Sequence, residues 1–487
     1  MNNLRLLHFF KSFIIFKSLK LKFALYIFLA CIFFSCASCV DTSTNIIKDI
    51  HIGLHNNNQL RIQIDVTTVK DAEVYAEYWA DSAKDEKLTS LTSKKGLQHS
   101  LVFTNILPDT KYDFQVYTNQ DGKKLQSKIY NFQSEKLAPW LQDQFKANYP
   151  MPELLPANFK TGFVVLNKRE APGLTYIVDT KGRLRWYNMI DGTGVKVTHF
   201  TKDKTIISIL GSNDEPTSYG SSILEVNLIG DTVLYLKKGM GDLKYQIHHE
   251  VIKNDKNQVV TLYVEKRPMD LSLVGGNAKD TVVGDGILVL DNKGKKVWQW
   301  SVIDAFSPLK DPNILKDKKD WLHANSVCFD KDSNYLISFY NNGQIWKVNA
   351  TTGAIMWKFG KDGTFKMPPD CSFSMAHAAH INTNGDLMFF NNGIDKHQSE
   401  VYAIKLNEAN QTATTDLHIK LPQEVYNDRM GSAYLINGTT VLCCCSKRHI
   451  SILINKKGVL LWSLDTAIPP YRVEFVNKEE LKDYFLP

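Results

Sequence analysis

From Gly162 onward the chain alternates short runs of Val, Leu, Ile, Phe and Tyr with polar turns of Asn, Asp, Lys and Gly. Helical periodicity is nearly absent. One unit recurs: an apolar strand, a tight polar turn, then a second strand carrying Trp or an equivalent. The copies are VDTKGRLRWY (178–187), VNLIGDTVLYL (226–236), LDNKGKKVWQW (290–300), VNATTGAIMWKF (348–359) and INKKGVLLWSL (454–464). Further strand-like runs at 205–210, 259–264, 335–339, 387–390 and 440–445 lie between them. A period of about 40–60 residues with about four strands each describes a β-propeller, and the stretch has room for about six blades. The expected fold class is all-β, with a six-bladed β-propeller over 162–487.

The N-terminal part alternates too. LRIQIDV (60–66) and EVYAEYW (73–79) read as strands, and LPDTKYDFQVYT (107–118) as a turn leading into another. The Leu-Pro-x-Thr-x-Tyr pattern resembles a fibronectin type III domain, which implies a small fibronectin-III/Ig-like β-sandwich over 41–136. Tyr112 is its expected corner tyrosine and Trp79 its core tryptophan. A proline-punctuated stretch, LAPWLQDQFKANYPMPELLP, reads as a linker over 137–161.

Composition adds a compartment. Of the net charge of +7, five units sit on Arg5, Lys11, Lys17, Lys20 and Lys22, with no acid among residues 1–40. The rest is near neutral, so nucleic acid is not an expected partner. Basic residues before an apolar run (23–34) and a terminal SCASC form a targeting segment over 1–40. A Cys ending that run resembles a bacterial lipoprotein signal, with Cys36 or Cys39 lipidated. The run is short of the ~20 residues that span a bilayer. The expectation is an exported lipoprotein, periplasmic or at the cell surface of a Gram-negative bacterium, anchored to a membrane, with a homodimer left open. Cys443, Cys444 and Cys445 read as small apolar residues of a buried strand; a disulfide involving Cys371 is left unassigned. No CxxC spacing follows the targeting segment, which argues against a zinc–thiolate site.

Three stretches carry the candidate chemistry: QIHHEVIKNDKNQVVTLY (246–263), DWLHANSVCFDKDSNYLISFY (320–340) and FSMAHAAHINTNGDLMFFNNG (373–393). In each, a His precedes an apolar residue by four positions, then a polar turn and an apolar strand follow. Radially arranged repeats would bring His248 or His249, His323 and His377 together at the mouth of a central channel. A neutral imidazole is nucleophilic near pH 7, a second can act as acid to a departing oxyanion, and others can bind an anion.

These residues resemble the bacterial aryl-sulfate sulfotransferases, exported propellers with an N-terminal β-sandwich. The match lies in HHE (248–250), DWLHANS (320–326) and AHAA (376–379) followed by a G-D-L…F-x-N-G tail. The resemblance implies transfer of a sulfuryl group from an aryl sulfate donor to a phenol acceptor, with no cofactor and no nucleotide sulfate. His377 would be the nucleophile, forming a sulfohistidine in a ping-pong cycle. His323 with His248 or His249 would bind sulfuryl oxygens and move protons, and Asn325, Tyr340, Arg429 and His380 would contact substrate. Tyr340 and Trp346 are the expected aromatic wall. The sequence departs from the family in two places. Tyr340 stands where the family has an Arg, so Arg429 is the expected replacement cation, and Ala376 replaces a Gln. Loss of the charge-assisted contact would cost on the order of a few kcal/mol of transition-state stabilisation. The rival readings are a metal-dependent enzyme using His248, His249 or Glu250 with His323 and His377, and a non-catalytic exported binding propeller.

Overall fold

The computed structural model describes residues 46–120 and 123–482; the expected targeting segment, with Cys36 and Cys39, lies outside them. The first unit is organised on one long strand, Ile62–Ala80. Its first half pairs with Ile47–Leu54 and Gly96–Phe103, and its second half with Lys111–Gln120. A register shift between Thr67 and Ala72 marks the bend. Residues 62, 64, 66, 74, 76 and 78 all face one core with Phe103 and Phe114. That parity puts Tyr78, not the expected Trp79, in the core; Trp79 is buried on the other face, under the Lys87 ammonium at 4.6 Å. Tyr112 accepts the Leu107 N–H at 2.8 Å, the corner contact its motif predicts.

Six antiparallel sheets of four or five strands follow. Their hairpin turns have a simple local cause. Asp179, Asp291 and Asn455 each accept two backbone N–H groups two and four residues on. The Gly that follows sits at φ +78 to +80° (Gly182, Gly294, Gly458), where a Cβ would be strained. A sixth hairpin, between Glu400–Asn407 and Thr412–Lys420, has neither Gly nor Trp and escapes the sequence repeat.

Both faces of every sheet are covered, which explains why these strands read as continuous apolar runs. Apolar clusters lie between the first and second sheets around Trp186, the third and fourth around Trp346, and the fifth and sixth around Cys443. Equivalent clusters join the second to the third and the fourth to the fifth. Another joins the sixth back to the first through Trp462, Cys444, Val164 and Tyr176. Two strands tie the ends. Glu474–Val476 pairs with Phe163–Lys168 in the first sheet, and Phe145–Asn148 pairs with Leu460–Thr466 in the last. The stretch read as a linker therefore supplies a strand. Cys328, Cys371, Cys443, Cys444 and Cys445 are all free thiols, and the last three fill the buried strand Thr440–Cys445.

Candidate active site

The three histidine stretches begin strands of successive sheets: Ile247–Lys253 in the third, Ala324–Phe329 in the fourth and Ala376–Ile381 in the fifth. Each is interrupted by a bulge, at His248/Val251, Ala324/Ser326 and His377/His380. Left-handed residues cluster there: His249 (φ 59°), His323 (φ 53°) and Ala378 (φ 51°). Each costs on the order of 1–3 kcal/mol, and such strain concentrates at functional sites because it re-aims side chains.

The side chains meet in a cavity of about 470 Å³ lined by His249, His323, Tyr340, His377 and Arg429. Ring centroids of His249 and His323 are 4.9 Å apart, and Tyr340 lies 5.6 Å from His323 and 5.2 Å from His377. Tyr219, Pro216, Pro469 and Met430 complete the less polar walls. Four expected residues lie elsewhere. Trp346 is in the core between the third and fourth sheets, so it forms no aromatic wall. His380 lines a separate cavity with Tyr434 and Glu474, its Nδ1 on the Ala378 carbonyl at 2.9 Å. Asn325 is fully buried; its amide donates to the Ala376 carbonyl at 2.7 Å and ties the His323 strand to the His377 strand. His248 sits behind His249 rather than in the cavity.

The hydrogen bonds assign proton positions. Asn392 donates its NH₂ to the Asn427 and Met430 carbonyls at 2.7 and 3.0 Å, so its oxygen faces His377 Nδ1 at 2.6 Å. Nδ1 must carry the proton, which leaves the Nε2 lone pair of His377 for the cavity. Burial, together with the Arg472 and His323 charges, pushes the His377 pKa down to about 3. The ring is therefore neutral at any ordinary pH. His248 Nε2 lies 3.2 Å from Asp285, and the two Nδ1 atoms of His248 and His249 are 2.7 Å apart. One Nδ1 therefore donates to the other, while the His248 Nε2 makes no hydrogen bond. Burial and the neighbouring His323 charge hold His249 well below the usual histidine range. His323 goes the other way. Burial opposes its charge, but the 2.8 Å bond to Asp320 and the Asp320 and Asp285 charges outweigh it and raise its pKa.

Beneath the cavity, Glu250 is held by Arg472 at 2.6 Å and by His199 at 2.5 Å. That occupies Glu250 away from the cavity, and among the described residues no group of three His, Cys, Asp or Glu side chains is placed to hold a metal ion. Arg472 also donates to the Asn325 carbonyl at 2.9 Å. Three cations line or approach the cavity on its other side: Arg169, Arg429 and Lys447, and no carboxylate lines it among the described residues. Arg169, Arg472, Asn392 and Asp285 were not singled out by the sequence. Asn392 alone had a signal, since it closes the F-x-N-G tail.

The molecule is thus an all-β protein with a histidine-lined, carboxylate-free cavity. The family model for Arylsulfotransferase (ASST) matches residues 155–446, more than half of the chain, and the chain belongs to that family. Membership supports a sulfotransferase enzyme with small-molecule aryl sulfates and phenols as substrates. No curated protein matches the chain. Similar solved structures include a protein of unknown function from Bacteroides caccae, at 10% identity, TM-score 0.42, covering 65% of this chain and 99% of that one. Another is virginiamycin B lyase from Staphylococcus aureus, at 10% identity, TM-score 0.33, covering 66% and 100%.

Proposed function

We propose that this chain moves a sulfuryl group from a phenolic sulfate ester to a phenol through a sulfohistidine at His377. The cycle of sheets is read as a six-bladed propeller and the first unit as a β-sandwich that packs on it. The observation that carries the reading is a neutral His377, its Nδ1–H held by Asn392, facing a cavity free of carboxylates beside a His323 that favours its charged form.

In the first half, His377 Nε2 attacks sulfur, the S–O(aryl) bond breaks, and His323 gives its Nε2 proton to the departing phenolate. The sulfated ring keeps its Nδ1 proton on Asn392 and is cationic, which primes it to leave. In the second half, the now neutral His323 takes the acceptor's proton and is recharged for the next cycle. The phenolate oxygen bonds to sulfur, the N–S bond breaks, and His377 departs as neutral imidazole. By analogy with phosphoryl transfer, the transition state is loose, with charge on the peripheral oxygens. Pre-placed donors then matter more than a strong base. Tyr340 takes the place of a cation with one neutral donor within reach of both rings.

Intact-mass measurement after exposure to p-nitrophenyl sulfate without acceptor should show one added sulfuryl group, absent in His377→Asn. Acceptor-dependent release of nitrophenol should follow. A wild-type chain that gains no mass and releases no nitrophenol would falsify the reading. We also propose export and lipidation at Cys36 or Cys39, which metabolic labelling with a fatty acid would reveal in the wild type and not in the double Cys→Ala variant.

A further inference from the structure

The walls of the cavity differ in kind. His249, His323 with Tyr340, and His377 come from the third, fourth and fifth sheets. Arg169 follows Phe163–Lys168 of the first sheet, while Arg429 and Lys447 belong to the sixth. In a closed cycle of six sheets the first and sixth stand across from the third and fourth. His249 and His323 therefore face Arg169, Arg429 and Lys447 across the cavity, with His377 on the fifth sheet beside the sixth.

Arg169 is the informative member. It is only 6% exposed, its Nε has no partner, and its Nη1 meets nothing better than the Met430 sulfur at 3.1 Å. Among the described residues it has no ion-pair partner. A buried, unpaired guanidinium is costly unless a ligand supplies the counter-charge. Its backbone is fixed in place. A Cβ on Gly194 would lie 1.8 Å from the Arg169 carbonyl, and Asn213 accepts the Ala171 N–H at 2.9 Å. Arg429 and Lys447 are exposed at the same wall; the nearest carboxylate to Arg429 is Asp428, at 3.9 Å.

We infer that the aryl group accepted here carries a second anion, a ring carboxylate, which Arg169 binds while the imidazole wall handles the sulfuryl group. This rests on the transfer reading above for the role of the imidazoles. The substrate class is the phenolic acids and their sulfate esters. A double displacement through one nucleophile puts donor and acceptor rings in the same place in turn, so both would carry the anion.

Calorimetric titration of the full chain with 4-hydroxybenzoate and its neutral amide, 4-hydroxybenzamide, tests this without requiring turnover. The acid should bind about tenfold or more tightly than the amide, as a charge-assisted pair would give. The gap should collapse in Arg169→Gln and survive in part in Arg169→Lys, which keeps the charge and loses the fork. Equal affinity for the two probes in the wild type, or a gap that persists in Arg169→Gln, overturns the assignment. Should Arg169→Gln not fold, the wild-type comparison and Arg169→Lys still decide it. A chain that binds the acid selectively but forms no sulfuryl adduct would keep this inference and lose the transfer mechanism.

Discussion

Two imidazoles within one cavity have their pKa values pushed in opposite directions, and each shift has a nameable cause. His377 is neutral because it is buried with only an amide oxygen on Nδ1, whereas His323 has a carboxylate on Nδ1. Replacing Asn392 with Leu removes the acceptor that fixes the tautomer and leaves Nδ1–H buried and unpaired. We expect kcat to fall on the order of 100-fold from misplacement of the nucleophile, with KM for the donor little changed, in steady-state assays. The pH profile follows from the directions of the shifts. His323 acts as an acid, so the first half-reaction should slow as pH rises through its raised pKa. No loss from His377 is expected on the acid side until pH approaches about 3. Phenyl sulfate is the substrate to use, because a phenol of pKa about 10 needs a proton on leaving. In Asp320→Asn the alkaline limb should move to lower pH; an unchanged limb would remove His323 from the acid role. The histidines themselves were legible in the sequence as echoes at matching places. Which of His248 and His249 faces the cavity was not, because only the bulge at His248/Val251 sets the direction of each side chain.

At the scale of elements, the short strand Glu474–Val476 is latched by charge. His199 lies between Glu250 and Glu474, and Arg472 caps Glu250, so the closing strand is bound to the strand that carries His249. Burial disfavours the His199 charge, but the two carboxylates outweigh it and raise its pKa to about 10. Burial likewise opposes ionised Glu250, yet Arg472 and His199 bring it down to about 2. The signs give a window. The Glu250 contribution is full above its ordinary value of 4.5 and is lost as pH falls toward about 2. The His199 contribution is full below 6.5 and is lost as pH rises toward about 10. Thermal unfolding should show the latch at its strongest between these limits. His199→Ala leaves Glu474 without its counter-charge and Glu250 with Arg472 alone, and should destabilise the fold by about 3–5 kcal/mol; a change below about 1 kcal/mol would show that the latch bears no weight. The latch was not readable beforehand: Glu250 closes the HHE motif, but His199, Arg472 and Glu474 belong to no local motif.

For the whole molecule, the net charge of +7 says little, because much of it lies in the first 40 residues. The local imbalance matters more: a cavity with Arg169, Arg429 and Lys447 and no carboxylate focuses positive potential on an entering anion. KM for an aryl sulfate should therefore rise several-fold between low and physiological ionic strength, with the exposed Arg429 and Lys447 giving most of the effect. A KM independent of salt would show that steering plays no part. The sequence alone was enough for the all-β class, the last hairpin turn of five of the six sheets and the three histidine stretches. Those are local matters of alternation, turn chemistry and spacing, carried within a dozen or so residues. Tertiary structure alone decided the place of the fifth sheet's last hairpin, the burial of Asn325 and Trp346, the exclusion of His380, and the cavity place of Arg169. Those depend on which face of a bulged strand is turned inward. They depend as well on residues as far apart as Arg169 and Lys447 becoming neighbours when the last sheet packs on the first.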